Sequence, residues 1–405
     1  MRFISGLFLY GLIVAAWPCA IGQSIHSGTV TGTVTDQSRA VIQGAKVELK
    51  NAVTGYSQAT ISDAAGNYRF NNVPQNQYVL AAVAQGFAPL SQTVDVRSAL
   101  PVEAPLTLNV AGSSTEVQVQ ADANLVESDP TAHQDVDRGA LQKLPALDPA
   151  AGLSQAITYS TGAVAADANG FFHPLGDHAQ VSFVIDGQPI SDQQSKVFST
   201  QLPVSAVQGM ELVTGMPMAE FGDKSSLIAE VTTRSALGAG RWFGNVQTNY
   251  GSFGATSSSV GLGYGNNKVG NFLALDGSRS SRFLDSPEFT PFHDIGNNET
   301  LFDRLDWQPD AADAFHFNLF LARNWIQIPN TYDQLAQDQH QRVLTWNIAP
   351  GYQHTFNPHA LLTVNPYVRQ DQFTYYASRD PFADTRETHD QSRRLMNYGL
   401  MADLC

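Results

Sequence analysis

Apolar and polar residues alternate in short runs through most of this chain, and Gly, Pro, Asn and Asp punctuate the runs. A period of two belongs to half-buried strands rather than amphipathic helices. Over 23–112 the runs GTVTGTV, AKVELKN, YRF, YVLAAVA and QTVDV recur at about ten-residue intervals, the spacing of a β-sandwich. Turn chemistry sits between them: Asp63 and Gly66 in DAAGNY, Pro74 and Asn76 in NNVPQNQY. Over 125–237, LQKLPALDPAAGLSQAITYSTGAV predicts short helices broken at Pro145. QVSFVIDGQPIS then predicts a hairpin that turns at Asp186 and Gly187, with Pro189 in its second strand. Two more strand-like runs complete that region.

From 238 to 405 the alternation is longer. Gly244, Val246, Thr248 and Tyr250 share one face, opposite Asn245, Gln247 and Asn249. Phe315, Phe317, Leu319 and Leu321 oppose His316, Asn318 and Asn324; Leu344, Trp346, Ile348 and Tyr352 oppose Thr345, Asn347 and Gln353; Leu362, Val364 and Val368 oppose Thr363, Asn365 and Arg369. Apolar-out, polar-in strands of this kind suit a membrane barrel with a wet lumen, and Trp242, Trp307, Trp325, Tyr250 and Tyr352 are expected near strand ends as an aromatic girdle. No stretch approaches about 18 consecutive apolar residues, so entry into a bilayer would require a closed barrel.

Composition adds the compartment and removes one class of partner. With 37 acidic and 23 basic residues the chain carries a net charge of −14, which repels phosphate backbones, so no nucleic acid is expected as a partner. Residues 1–22 read as a signal peptide: Arg2, an apolar run from Ile4 to Trp17, and small residues Ala20 and Gly22 before the expected cleavage. Its removal takes Cys19 and leaves Cys405, so no intramolecular disulfide is expected.

Candidate chemistry is sparse, and no cofactor, metal or catalytic residue is expected. His173, Asp177 and His178 in HPLGDH could hold a metal but read more simply as a polar loop. The Asn298 triplet NET reads as a chance sequon, and VGLGYGNNKVG as strand and turn. No Ser, His and Asp arrangement has nucleophile spacing.

The first module resembles the carboxypeptidase regulatory-like domain, a transthyretin/starch-binding-like β-sandwich. The matching positions are Gly32, Val34, Asp36, Gly44, Ala45, Val47, Asp63, Gly66, Tyr68, Phe70, Tyr78, Gly86 and Phe87. The family has Gly where this chain has Arg39, and Pro-Gly where it has Gln75 and Asn76. The name suggests peptidase chemistry, but none of the ten His has Glu at the third following position, as a zinc carboxypeptidase site requires. The sandwich reads as an accessory module, with sugar binding implied by fold analogy only.

The next two regions resemble TonB-dependent outer-membrane receptors of the Oar-like type. Glu116, Val117, Gln118 and Val119, in the 113–124 linker, resemble the TonB box, an extended segment that pairs with a partner sheet edge. The hairpin VIDGQPI, the strand VQGMELVTG and the turn AEFG resemble the receptor plug, while SSLIAEVTTRS departs from the family's Gly-Gly-Val-Ile-Asn type of stretch. The resemblance implies an α+β plug over 125–237 and, over 238–405, part of an antiparallel transmembrane β-barrel with about eight strands. So few strands cannot enclose a plug, for plugged barrels have about 22, and the chain is expected to be a truncated form ending within the barrel. The implied function is energy-coupled uptake of an unknown ligand, carbohydrate or peptide, at the outer membrane of a Gram-negative bacterium. Its implied partners are TonB, ExbB/ExbD and outer-membrane lipid, with the sandwich in the periplasm. The rival readings are a secreted carbohydrate-binding or adhesive β protein and an accessory to a peptidase.

Overall fold

The computed structural model describes residues 27–404 except 52–55, 98–99, 112–131, 145–147, 161–163, 167–171, 175–180, 191–196, 215–225, 291, 311 and 358–359. Strand dominates, in three bodies that follow the chain order. Among the described residues no helix is long and apolar enough to cross a membrane, which leaves crossing by strands open.

The first body is a sandwich. Strands β1 (Ser27–Asp36), β4 (Asn67–Pro74), β7 (Val102–Glu103) and β8 (Leu106–Leu108) form one sheet in which β1 pairs with the other three. Strands β2 (Lys46–Lys50), β3 (Ser57–Ile61), β5 (Asn76–Val83) and β6 (Leu90–Val96) form the other, in the order β3-β2-β5-β6. Alternate residues point inward, so Val30, Val34, Val47, Leu49, Leu80, Leu106 and Leu108 are fully buried between the sheets. Gly32 is required by a close approach: a side chain there would run into the Ala104 carbonyl, which accepts from the Tyr68 hydroxyl. At the 36–40 turn, Asp36 accepts from the Ser38 and Ala40 amides at 2.8 and 2.9 Å, and Arg39 sits at φ 68°. This left-handed conformation explains the family's preference for Gly there.

The second body is α+β. Its elements are β9 (His133–Asp137), α1 (Arg138–Leu141), α2 (Gly152–Ser160), β10 (Val164–Ala166), β11 (Phe172–Pro174), β12 (Val181–Ile185), β13 (Gln188–Ile190), β14 (Val207–Val213) and β15 (Leu227–Thr233). The main sheet runs β13-β12-β15-β14-β9, with β15 parallel to β12 and antiparallel to β14. Every residue of β15 is buried, as a central strand covered on both faces requires. Asp137 caps α1 by accepting from the Ala140 amide at 2.7 Å.

The third body is one eight-stranded antiparallel sheet in sequence order. It comprises β16 (Phe243–Tyr250), β17 (Thr256–Gly265), β18 (Val269–Ser280), β19 (Gly296–Trp307), β20 (Asp313–Gln327), β21 (His340–Asn357), β22 (Ala360–Tyr376) and β23 (Gln391–Leu404). Each strand pairs with the next; β16 and β23 do not pair with each other, so among the described residues the sheet is open. It curves around the central module. Phe272, Ala274, Phe302, Phe320 and Ala322 of its inner face share one core with Leu153, Ile157, Phe183 and Leu212 of that module. The alternate residues Leu305, Phe317 and Leu321 face outward. Tyr352 lies inside β21 rather than near its end, because that strand runs on to Asn357; it stacks on Phe315, which stacks on Trp307, at 4.7 and 4.9 Å. At this rim few residues separate successive strands: Gly265 from Val269, Trp307 from Asp313 and Asn357 from Ala360; at the other, Ser280 is far from Gly296, Gln327 from His340 and Tyr376 from Gln391 along the chain.

Candidate functional site: the polar seam between module and wall

Where the β12–β13 hairpin meets the wall, its turn is built from the two residues the sequence singles out. Asp186 and Gly187 have φ of 48° and 81°, and Ile185 pairs with Gln188 across them. Two successive positive φ values make a type I′ turn, which Asp-Gly favours. Pro189 is exposed on β13, the last strand of its sheet, where a missing N–H is tolerated.

The turn aims Asp186 into the seam. Its Oδ1 accepts from the Thr233 amide at 2.9 Å, and its Oδ2 from the Thr233 hydroxyl at 2.6 Å and from Asn318 at 2.7 Å. Arg304 of β19 completes the junction: Nη1 lies 3.2 Å from Asp186 Oδ2 and donates to the Thr233 hydroxyl at 3.0 Å, while Nε donates to Asp306 at 3.0 Å. The Arg304 and Asp186 side chains are only 9% and 5% exposed. One cation between two carboxylates that also accept from Thr233, Asn318 and Ser235 is a setting in which buried charge is tolerated.

Further polar pairs line the seam. Gln188 and Asn347 exchange reciprocal amide bonds at 2.8 and 3.0 Å. Thr200 donates to Thr345, which donates to Asp371, itself gripped by Arg369 at 2.8 Å. Ser205 donates to Asp276 at 2.5 Å. Arg234 lies over the stacked rings of Phe272 and Phe243, 4.3 and 5.5 Å from their centroids, and burial lowers its pKa to about 10. Gly261 and Gly263 face this cation and the Phe243 ring, space that larger residues would take.

The arrangement holds two bodies together. Among the described residues no group of three His, Cys, Asp or Glu is placed to hold a metal ion. His173 lies on β11, while Asp177 and His178 fall outside the described residues, as do Glu116, Val117, Gln118 and Val119. Asn298 is buried and donates to Asn324 at 2.5 Å, so it presents no surface for glycosylation. The sequence pattern marks the polar face of the wall but gives no reason to single out Arg304 or Thr233. The available signal is an Arg and an Asp two apart on the inward positions of one strand.

Residues 29–124 match the carboxypeptidase regulatory-like domain, a stretch that runs beyond the sandwich into the segment before β9. Over 245 residues the chain is 27% identical to the TonB-dependent transporter Oar of Myxococcus xanthus. That match covers 56% of this chain and 22% of the relative, so the chain spans about a fifth of that protein's length. The fold is similar to two structures of ferric enterobactin receptor mutants from Pseudomonas aeruginosa. One has a TM-score of 0.50 at 12% identity, covering 69% of this chain and 46% of that one. The other, in complex with enterobactin, has a TM-score of 0.51 at 11% identity over 68% and 46%. The mostly β architecture is therefore that of TonB-dependent receptor barrels, present here as an open part of the wall around a central module.

Proposed function

We propose that the chain carries the sandwich, the plug and the first strands of the wall of a TonB-dependent outer-membrane receptor that takes up a ligand by energy-coupled transport. The observation that carries this reading is the curved sheet, with Leu305, Phe317 and Leu321 on its outer face, wrapped around a module it meets through a shared apolar core and a polar seam. Its dimensions support a place in lipid. Phe315 and Trp325 stand ten residues apart on the outer face of β20, with Phe317, Leu319 and Leu321 between them. At about 3.3 Å per residue and a tilt of about 40° the two rings are separated by about 25 Å in height, the height of the apolar band of such barrels; on the same face Arg323, beside Trp325, pairs with Glu299 at 2.8 Å.

The division proposed is a signal peptide over 1–22, sandwich over 23–112, linker over 113–124, plug over 125–237 and wall over 238–405. The open edges β16 and β23 are where further strands would close the wall. Barrels of this class have short periplasmic turns and long extracellular loops. The sandwich packs at the rim of short turns, where Arg69 meets Gln308, which supports a periplasmic position. In this reading Glu116 to Val119 pair with TonB, ExbB/ExbD energise the pull, and the long-loop rim receives a siderophore-like or other small ligand. The polar seam has the character the task requires: hydrogen bonds to water can replace its contacts, so a pulled plug can leave the wall and return.

Membrane fractionation of cells expressing the full chain tests this, together with the dependence of its recovery on detergent. The expected result is recovery from the outer membrane only with detergent. A monomer soluble without it would refute the assignment.

A further inference from the structure

One corner of β4 carries the sandwich contacts that meet both other bodies at one residue. Asn72 stands at φ 54° where the β1–β4 register shifts, and its Nδ2 donates to the Thr233 carbonyl at 2.7 Å. Thr233 is the residue whose amide and hydroxyl hold Asp186 and whose hydroxyl accepts from Arg304. One residue thus bonds sandwich, plug and wall. Three positions earlier, the Arg69 guanidinium packs on the buried Gln308 amide, whose oxygen, turned toward it, accepts at 2.5 and 2.9 Å. Asn76 donates to Asp135 of β9, and Leu100 packs on Leu361 of the wall. Beside these contacts a cleft of about 610 Å³ opens between the sandwich and the rim at Asn267 and Asn357. The named contacts are mostly polar, of the kind water can replace when two bodies separate.

We propose that the sandwich is a latch: docked on Thr233 and Gln308 it ties the plug to the wall across the Asp186–Arg304 junction, so that freeing the plug is coupled to undocking the sandwich. The meaning of release rests on the receptor reading; the coupling itself does not. Undocking leaves the Thr233 carbonyl to water at the end of β15, next to the atoms that hold the hairpin turn. The segment 112–131 joins the sandwich to β9, so a pull on it loads the latch together with the plug.

Hydrogen exchange on the full chain in detergent tests the latch, comparing the unmodified chain with Asn72→Gly, Gln308→Ala and the double variant. Glycine keeps the positive φ and removes only the side-chain bond. The expected result is exchange roughly fivefold faster over 181–188 and 227–233 in each single variant, and faster still in the double. Proteolysis within 112–131 should quicken in parallel, with β5 unchanged. Faster proteolysis with wild-type exchange in β12 and β15 would overturn the latch, as would no change in either readout. Should β5 also loosen in Asn72→Gly, Gln308→Ala decides, because its substitution lies in the wall. Fractionation reports on the receptor assignment separately: a soluble chain with intact coupling sinks that assignment alone, and a membrane-bound chain without coupling sinks the latch alone.

Discussion

Replacing Asp186 by Asn probes the junction with the least disturbance to shape. Asn matches the volume and tolerates the left-handed φ of 48°, but it removes the charge and turns one acceptor into a donor. Asp186 accepts from the Thr233 amide and hydroxyl, from Asn318 and from Arg304, and the amide nitrogen of Asn would oppose donors wherever it points. Removing one member of a buried ion pair costs about 3–5 kcal/mol. Arg304 keeps Asp306 at 3.0 Å, so the low end applies. A loss of about 3 kcal/mol is roughly a hundredfold increase in local opening. Arg304→Met alone should cost a similar amount, because two carboxylates then share a site without their cation. Combined, the two substitutions should cost less than their sum by about 1.5–3 kcal/mol, since the double variant removes both sides of the pair. Hydrogen exchange over 181–190 and 227–233 reads all four proteins, with β5 of the sandwich as internal reference. A coupling below about 0.5 kcal/mol would refute the junction as an energetic unit.

Four further outcomes follow from the same structure. Arg39→Gly should raise the melting temperature of the sandwich by a few degrees, because φ 68° costs a side chain about 1 kcal/mol that glycine avoids; Leu80→Ala, in the fully buried core, should cost about 2–5 kcal/mol in the same assay. Leu319→Arg, on the outer face of β20, should disfavour membrane insertion by about 2–4 kcal/mol; equal recovery of variant and unmodified chain from membranes would count against a lipid-facing surface. The Asp36 carboxyl is held below its ordinary range first by the Ser38 hydroxyl and then by the Ala40 amide. A depressed folded pKa stabilises the turn at every pH above the unfolded value of 3.8 and stops doing so as pH falls through the folded value. An NMR titration should therefore find the Asp36 midpoint below 3.8, moving up toward it in Ser38→Ala.

Much of the fold is legible residue by residue. The inward and outward faces of β20, β21 and β22 follow from alternation, because a strand has no choice but to point successive side chains to opposite sides. The type I′ turn is legible too, for Asp-Gly meets its demand for two positive φ values within the dipeptide itself. Arg39 shows the limit: its positive φ is imposed by the bonds around Asp36, against the preference of its own side chain. The polar face of the wall reads equally well as the lining of a channel or as a surface for another body. Nothing within a strand says that Asn347 meets Gln188, or that Arg304 meets Asp186, more than one hundred residues away.

The chain by itself determined its local periodicities, its turns and the facing of each side chain, since these depend on neighbours within a few positions. Only the tertiary structure decided that Thr233 joins three bodies and that one cation serves two buried carboxylates, because such contacts are chosen by docking geometry between surfaces distant along the chain. Their partners are fixed by what the curved wall brings opposite, and the alternation of a single strand carries no record of that curvature.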